Sequence, residues 1–308
     1  MDVYEEFGVS KQETPFAIVP EKTIRKNLQG LKEYGFSREQ IIKIVCGLPE
    51  TLNCSWKRTE MIFNNLVEYG FSREQVIKIV YSFPQTLGYS WKRTGGILTN
   101  LGEYGFSREQ IIKIVCGLPA TLSCSWERTG GILNNLEKYG FSREQVIKIV
   151  CISFGTLSCS WKRTENILNN LEEYGFNSKQ VIKIVYSFPQ ILGYSWERTS
   201  GILNNLEKYG FSSKQIIKIV CTFPAILGCS WERTEKILNI CKNIGFNILN
   251  APHKLMFSPE TLQSRINFLR IKFEMENEKL LKTIFASNKA FEKRFGISRE
   301  ELLKDYLD

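Results

Sequence analysis

Apolar side chains fall at Ile41, Ile44, Val45 and Leu48, Ile42 widens the stripe, and only Glu39, Gln40 and Lys43 are left for water. That spacing predicts a helix packed between two neighbours. Ser37 and Gln40 form a capping box that starts it at Arg38, and Gly47 and Pro49 end it. Residues 49–54 read as a short turn with a single 3-10 or helical turn anchored by Leu52. Ser55 caps a second helix with Thr59, Ile62, Phe63, Leu66 and Tyr69 on its inner face. Gly70 stands in the position that ends helices in the left-handed conformation.

The same pattern restarts at Gly70, Gly105, Gly140, Gly175 and Gly210, so six copies of a 35-residue unit fill positions 35–244 without insertion or deletion. A fixed period of this length means stacked helical hairpins, none of which buries its apolar face alone. The predicted fold is all-α, an α-solenoid (superhelix) of 35-residue helical-hairpin repeats. Residues 1–19 show no clear periodicity. Residues 20–33 match the second half of a unit, with Ile24, Leu28 and Leu31 at helical spacing, and predict a capping helix, so 1–34 form an N-terminal segment and cap. In 245–308, Pro252, Leu255, Ser258 and Leu269 keep the spacing of Pro49, Leu52, Ser55 and Leu66, with the first helix lost or shortened to residues 247–251. Two amphipathic segments follow, 276–285 and 298–307, the second opened by a Ser298–Glu301 box. This region is a degenerate repeat and C-terminal cap.

Two fixed columns are architectural. Trp56, Trp91, Trp126, Trp161, Trp196 and Trp231 follow the second helix's cap, and a large ring at every hairpin corner points to packing between repeats rather than base stacking. Pro49, Pro84, Pro119, Pro189 and Pro224 fix the turn; Phe154 replaces proline in the fourth repeat, which predicts an altered turn there.

Charge adds a candidate partner. The chain carries a net +9, and residues 35–244 hold 25 basic and 17 acidic side chains against −1 in the first 34 residues and +2 in the last 64. An excess on the repeats suits a polyanion, though plain solubility accounts for it equally well. Eight of the nine cysteines form within-repeat pairs (Cys46 with Cys54, Cys116 with Cys124, Cys151 with Cys159, Cys221 with Cys229), and Cys241 is single. In the second and fifth repeats both become tyrosine, Tyr81 with Tyr89 and Tyr186 with Tyr194, which a disulfide framework would not tolerate. The only histidine, His253, lies outside the repeats, which speaks against zinc. Reduced thiols predict an intracellular protein. The start of the chain is acidic and resembles neither a secretory signal nor an arginine-rich transit peptide. The compartment stays open: bacterial or host cytoplasm or nucleus, or the mitochondrion if a presequence has been removed. No apolar run is long enough to span a bilayer.

Three polar columns are candidates for nucleic-acid binding. Lys43, Lys78, Lys113, Lys148, Lys183 and Lys218 lie on the exposed edge of the first helix; ordinary pairing with a glutamate four residues earlier, such as Glu39, is the alternative account in the first four repeats. Arg58, Arg93, Arg128, Arg163, Arg198 and Arg233 stand at the third position of the second helix, where a cation opposes the macrodipole and needs a compensating partner. With the free amides of the helix start, each would complete a phosphate pocket. The alternative is a network between repeats, with arginine bonding a neighbour's carboxylate or helix C-terminus. Asn65, Asn100, Asn135, Asn170 and Asn205 follow seven residues after an arginine, and asparagine in mid-helix also calls for a reason.

The frame Pro-x-x-Leu-x-x-Ser before a helix with a late leucine, then Tyr-Gly-Phe-Ser and an Ile/Val-rich helix, resembles the mitochondrial transcription termination factor (mTERF) family. The Pro-x-x-Leu-x-x-Ser frame recurs in all six repeats, with Phe154 in place of proline in the fourth, and once in part, from Pro252 to Leu269. The resemblance implies a helical solenoid whose basic groove holds double-stranded DNA, or RNA in some members, without enzymatic activity. A weaker resemblance is to TAL-effector-like DNA-binding repeats, carried by Ser37, Glu39, Gln40, Ile41 and Ile42, with variable pairs such as Cys46–Gly47 and Tyr81–Ser82 where a base code would sit. The expected protein is a non-enzymatic, monomeric binder of double-stranded DNA, or of RNA, acting in transcription regulation or termination without cofactor, metal or membrane. The alternatives are a modular sequence reader and a scaffold for an acidic protein.

Overall fold

A computed structural model describes residues 20–307. Among these residues there is no strand; two α-helices joined by a 3-10 segment recur with the 35-residue period. The first repeat is typical: Arg38–Gly47 (helix A), the 3-10 segment Pro49–Leu52 and Trp56–Tyr69 (helix B). Helix A begins with the capping box foreseen, Gln40 N donating to Ser37 Oγ and Ser37 N to Gln40 Oε1. Helix B ends on Gly70 at φ +119°, and the following Phe71 N–H closes on the Leu66 carbonyl. This left-handed end recurs at Gly35, Gly105, Gly140, Gly175 and Gly210, where any side chain would be strained. Ser55 occupies the N-cap of helix B but its hydroxyl makes no capping bond; Ser125 and Ser195 do bond the amides of Arg128 and Arg198.

The described chain packs as two compact units that divide between Lys162 and Arg163, inside helix B of the fourth repeat. In the first unit, Ile41, Ile44, Val45, Leu52, Ile62, Phe63 and Leu66 are buried, and their counterparts are buried in each later repeat. Each such side chain contributes about 1.5–3 kcal/mol relative to exposure, so the stack is held mainly by apolar burial. The capping helix Glu21–Tyr34 closes the first repeat, and Asn27 stands where full repeats carry isoleucine (Ile62). Its amide donates to the carbonyls of Thr51, Leu52 and Cys54 at 2.8–3.1 Å, covering the end of the first 3-10 segment.

The altered turn expected at Phe154 does not occur: Phe154–Ser158 is a 3-10 segment like its counterparts. Phenylalanine adopts the required backbone angles without proline's ring, and its bulk is absorbed elsewhere. A Cβ added to Gly117 would lie 2.2 Å from the Phe154 ring, so that ring occupies space a side chain would fill. Ser82, the counterpart of Gly117, is instead followed 37 residues on by Pro119. Gly117→Ser is expected to cost about 1–2 kcal/mol in urea unfolding, and Phe154→Pro to remove most of that cost. Equal losses in both backgrounds would refute the compensation.

In the second unit the degenerate repeat keeps a 3-10 turn, Ile248–Asn250, in place of helix A, then Pro252–Met256 and the helix Pro259–Phe273. The segment 276–285 is helical only over Asn277–Leu281, and the sequence pattern missed the helix Asn288–Phe295. The last helix, Arg299–Asp305, has the expected Ser298–Glu301 box. Asn288–Phe295 escaped notice because Phe291 is its sole buried residue, so it shows no long apolar stripe. Arg265 occupies the same register as Asn27 and Ile62, is 1% exposed, and donates to the carbonyls of Ile284 and Ala286, both at 2.7 Å, and to Asn288 Oδ1 at 2.9 Å. Both caps thus replace a core isoleucine by a side chain that satisfies carbonyls of the adjoining chain.

Candidate nucleic-acid interface

Each arginine of the helix B column reaches into the next repeat. Arg58 Nη2 donates to the Gly88 carbonyl at 2.8 Å, Arg128 to Ser158 at 2.5 Å and Arg198 to Gly228 at 3.1 Å; Arg93 bonds Ser123 and Arg163 bonds Gly193 in the same way. Arg233 bonds the carbonyls of Met256 and Phe257. In all six the acceptor set includes the last residue of the next repeat's 3-10 segment, a carbonyl with no partner inside that segment. The cation therefore meets the negative end of a short helix, which offsets its unfavourable place at the positive end of its own. This is the network between repeats that stood against the phosphate pocket. In the second and fifth repeats the guanidinium also lies over a tyrosine ring, Arg93 over Tyr89 at 4.7 Å and Arg198 over Tyr194 at 4.0 Å.

A second arginine column, missed in the sequence, opens helix A. Arg73 donates to the Tyr34 and Glu33 carbonyls at 2.6 and 2.8 Å, ending the capping helix, and lies 4.8 Å from the Tyr34 ring. Arg108 lies over Tyr69 and Arg143 over Tyr104 in the same register. Arg143 also pairs with Glu137 at 3.1 Å, whose carboxylate accepts from the Tyr104 hydroxyl at 2.5 Å. That hydroxyl and Arg143 hold the Glu137 carboxyl below the usual carboxylate range. The sequence signal for this column is the recurring Tyr-Gly-Phe-Ser-Arg, which ends at Arg38, Arg73, Arg108 and Arg143.

The lysine column is exposed in all six repeats. Among the described residues no ion pair joins Glu74 to Lys78 or Glu109 to Lys113, so the expected i,i+4 pairing is not how these lysines are held. Glu74, Glu109 and Glu144 instead accept from the N-cap hydroxyls of Ser72, Ser107 and Ser142 at 2.7–2.8 Å, which holds each carboxyl below its ordinary range. Lys43, Lys78, Lys113 and Lys183 stand beside the variable position of the following repeat. Lys43 Nζ is 4.0 Å from the Tyr81 ring centre. Burial pushes the thiols of Cys116, Cys151 and Cys221 up, with Lys78, Lys113 and Lys183 pulling the other way. No disulfide links any of the cysteines, of which Cys46 is exposed and Cys241 buried. Tyr81, Cys116, Cys151, Tyr186 and Cys221 are half-buried, whereas the second member of each variable pair (Gly47, Ser82, Gly117, Ile152, Ser187 and Thr222) is exposed. In the first unit, an open groove of about 600 Å³ is lined by Lys78, Lys113, Cys116 and Phe154 among others.

The asparagine column is half-buried at Asn65, Asn100, Asn135, Asn170 and Asn205. Asn170 donates to its own helix, to the Asn166 carbonyl at 2.7 Å. In the capping helix this register is Gly30, against which the Trp56 indole packs; an added Cβ would lie 2.5 Å from the ring. Trp231 likewise meets Tyr209 edge-on at 6.2 Å, in keeping with tryptophan as a packing residue.

The helix boundaries also locate the charge. The six helices A carry twelve basic and four acidic side chains, and the six helices B thirteen and twelve. Essentially the whole surplus of the repeats therefore lies on helices A. Helices B are close to neutral, and their arginines are bonded to carbonyls. No described helix is long and apolar enough to cross a membrane. A family model described as mTERF matches residues 15–130, 97–200 and 130–241. No curated protein matches the chain at a significant level.

Proposed function

The chain belongs to the mTERF family, and from that premise we propose that it is a non-enzymatic, monomeric binder of double-stranded nucleic acid, DNA before RNA, acting in transcription or its termination. The observation that carries this reading is the concentration of the positive surplus on helices A, with an exposed lysine at the same register of each. Ammonium groups at a fixed structural period suit a partner whose charges also repeat, and phosphate contacts supply affinity without base identity. The helix B arginines act as clasps between repeats, and the lysines carry the phosphate contacts. Titration of the full chain with duplex DNA of random sequence over a range of salt tests this. Lys78→Ala with Lys113→Ala is expected to flatten the log–log salt slope by about two units and to weaken binding equally on all sequences. Absence of duplex affinity at low salt would favour a scaffold for an acidic protein instead.

A further inference from the structure

The first turn of helix A differs between repeats in a way the lysine column does not. In repeats one to four it reads Arg-Glu (Arg38–Glu39, Arg73–Glu74, Arg108–Glu109, Arg143–Glu144); in repeats five and six it reads Ser-Lys, Ser178–Lys179 and Ser213–Lys214. In the Arg-Glu form the two charges cancel, and both groups are engaged where the first unit shows them. Arg73 holds the carbonyls of Tyr34 and Glu33, Arg143 holds Glu137, and Glu74, Glu109 and Glu144 accept from serine hydroxyls. In the Ser-Lys form Ser178 Oγ donates to Glu172 at 2.7 Å, and the lysine that replaces glutamate is exposed. Among the described residues none of Lys179, Lys183, Lys214 and Lys218 joins an ion pair. Each of these two helices A thus carries a net +2 where each of the other four carries +1.

The exchange runs against helix stability. Glutamate in the first turn favours the positive end of the helix, and lysine there costs roughly 0.3–1 kcal/mol. The unfavourable residue occurs twice, four residues before the column lysine each time, so Lys179 and Lys183, and Lys214 and Lys218, stand on one helix edge. Like charges at that spacing repel unless an anion lies between them.

We propose that Lys179 and Lys214, with Lys183 and Lys218, form a doubled lysine rank in the second unit that binds the phosphates of duplex nucleic acid, two contacts per repeat. This rests on the binding reading above and adds residues to it. The test is fluorescence anisotropy of the full chain on a mixed-sequence DNA duplex, comparing the unaltered protein with Lys179→Gln/Lys214→Gln and with Lys179→Glu/Lys214→Glu, the residue of the other repeats. Loss of two phosphate contacts is expected to flatten the log–log salt slope by about two units in the glutamine variant. The glutamate variant should bind more weakly still, yet melt no earlier than the unaltered chain. A slope within half a unit of the unaltered protein's, in variants that still bind, overturns this proposal alone. If the unaltered chain fails to bind duplex at low salt, both readings fall.

Discussion

Arg265→Leu is expected to lower stability by about 3 kcal/mol. The buried carbonyl of Ile284 and the part-buried one of Ala286 lose their donor, at roughly 1–3 kcal/mol each. Relief from burying a cation returns part of this, since burial, helped by Arg299, pushes the Arg265 pKa down to about 10. Its guanidinium also stacks 4.4 Å from Phe291, so the substitution disturbs the helix Asn288–Phe295 as well as the turn before it. Urea unfolding and amide exchange over residues 284–291 measure the loss. Exchange should quicken there first, because a cap that loses its anchor opens locally before the unit unfolds. Unchanged protection in that segment would mean that apolar packing holds the cap and the arginine is incidental.

Arg93→Ala with Arg128→Ala is expected to remove about 2–3 kcal/mol of stability, at 1–1.5 kcal/mol for each charge-assisted bond to an exposed carbonyl. Duplex binding should keep its salt slope, because the clasped guanidinium groups make their contacts within the protein. A phosphate pocket predicts the reverse: a slope flatter by about two units, with stability held or raised as cations leave the positive ends of two helices. Melting and salt titration on one double variant separate the two outcomes. A flatter slope in a variant that melts like the parent would return the arginines to the interface.

The helices were legible because period, capping boxes and apolar faces all act locally. Ser37 with Gln40 and the glycine at each helix end speak within four residues, and the structure reproduces them. The role of the arginine column was not legible, because its acceptor lies 30 residues away on a backbone carbonyl that any residue supplies. The sequence could register only that the cation was costly where it stood, and a phosphate or a carbonyl answers that cost equally well. Phe154 misled for a related reason: its effect falls on Gly117, in another repeat, and leaves the local turn unchanged. The confinement of the charge surplus to helices A was implicit in the columns, but needed the helix limits before helices A and B could be counted apart.

The clasps bear on how such a gene is inherited. An interior unit gives one donor to its successor and takes one from its predecessor, and both are the same bond, so a unit copied or deleted whole leaves no carbonyl or guanidinium stranded. Only the ends are bespoke, served by Asn27 and Arg265. The Cys-Tyr-Cys order that occurs twice, at Cys46, Tyr81 and Cys116 and again at Cys151, Tyr186 and Cys221, is the trace such a copying event would leave. Recombination in steps of 35 residues therefore keeps every clasp, and costs folding only where neighbouring copies are matched to each other, as Gly117 is to Phe154. Selection is left free to act on the outward lysines, glutamates and serines that differ from copy to copy.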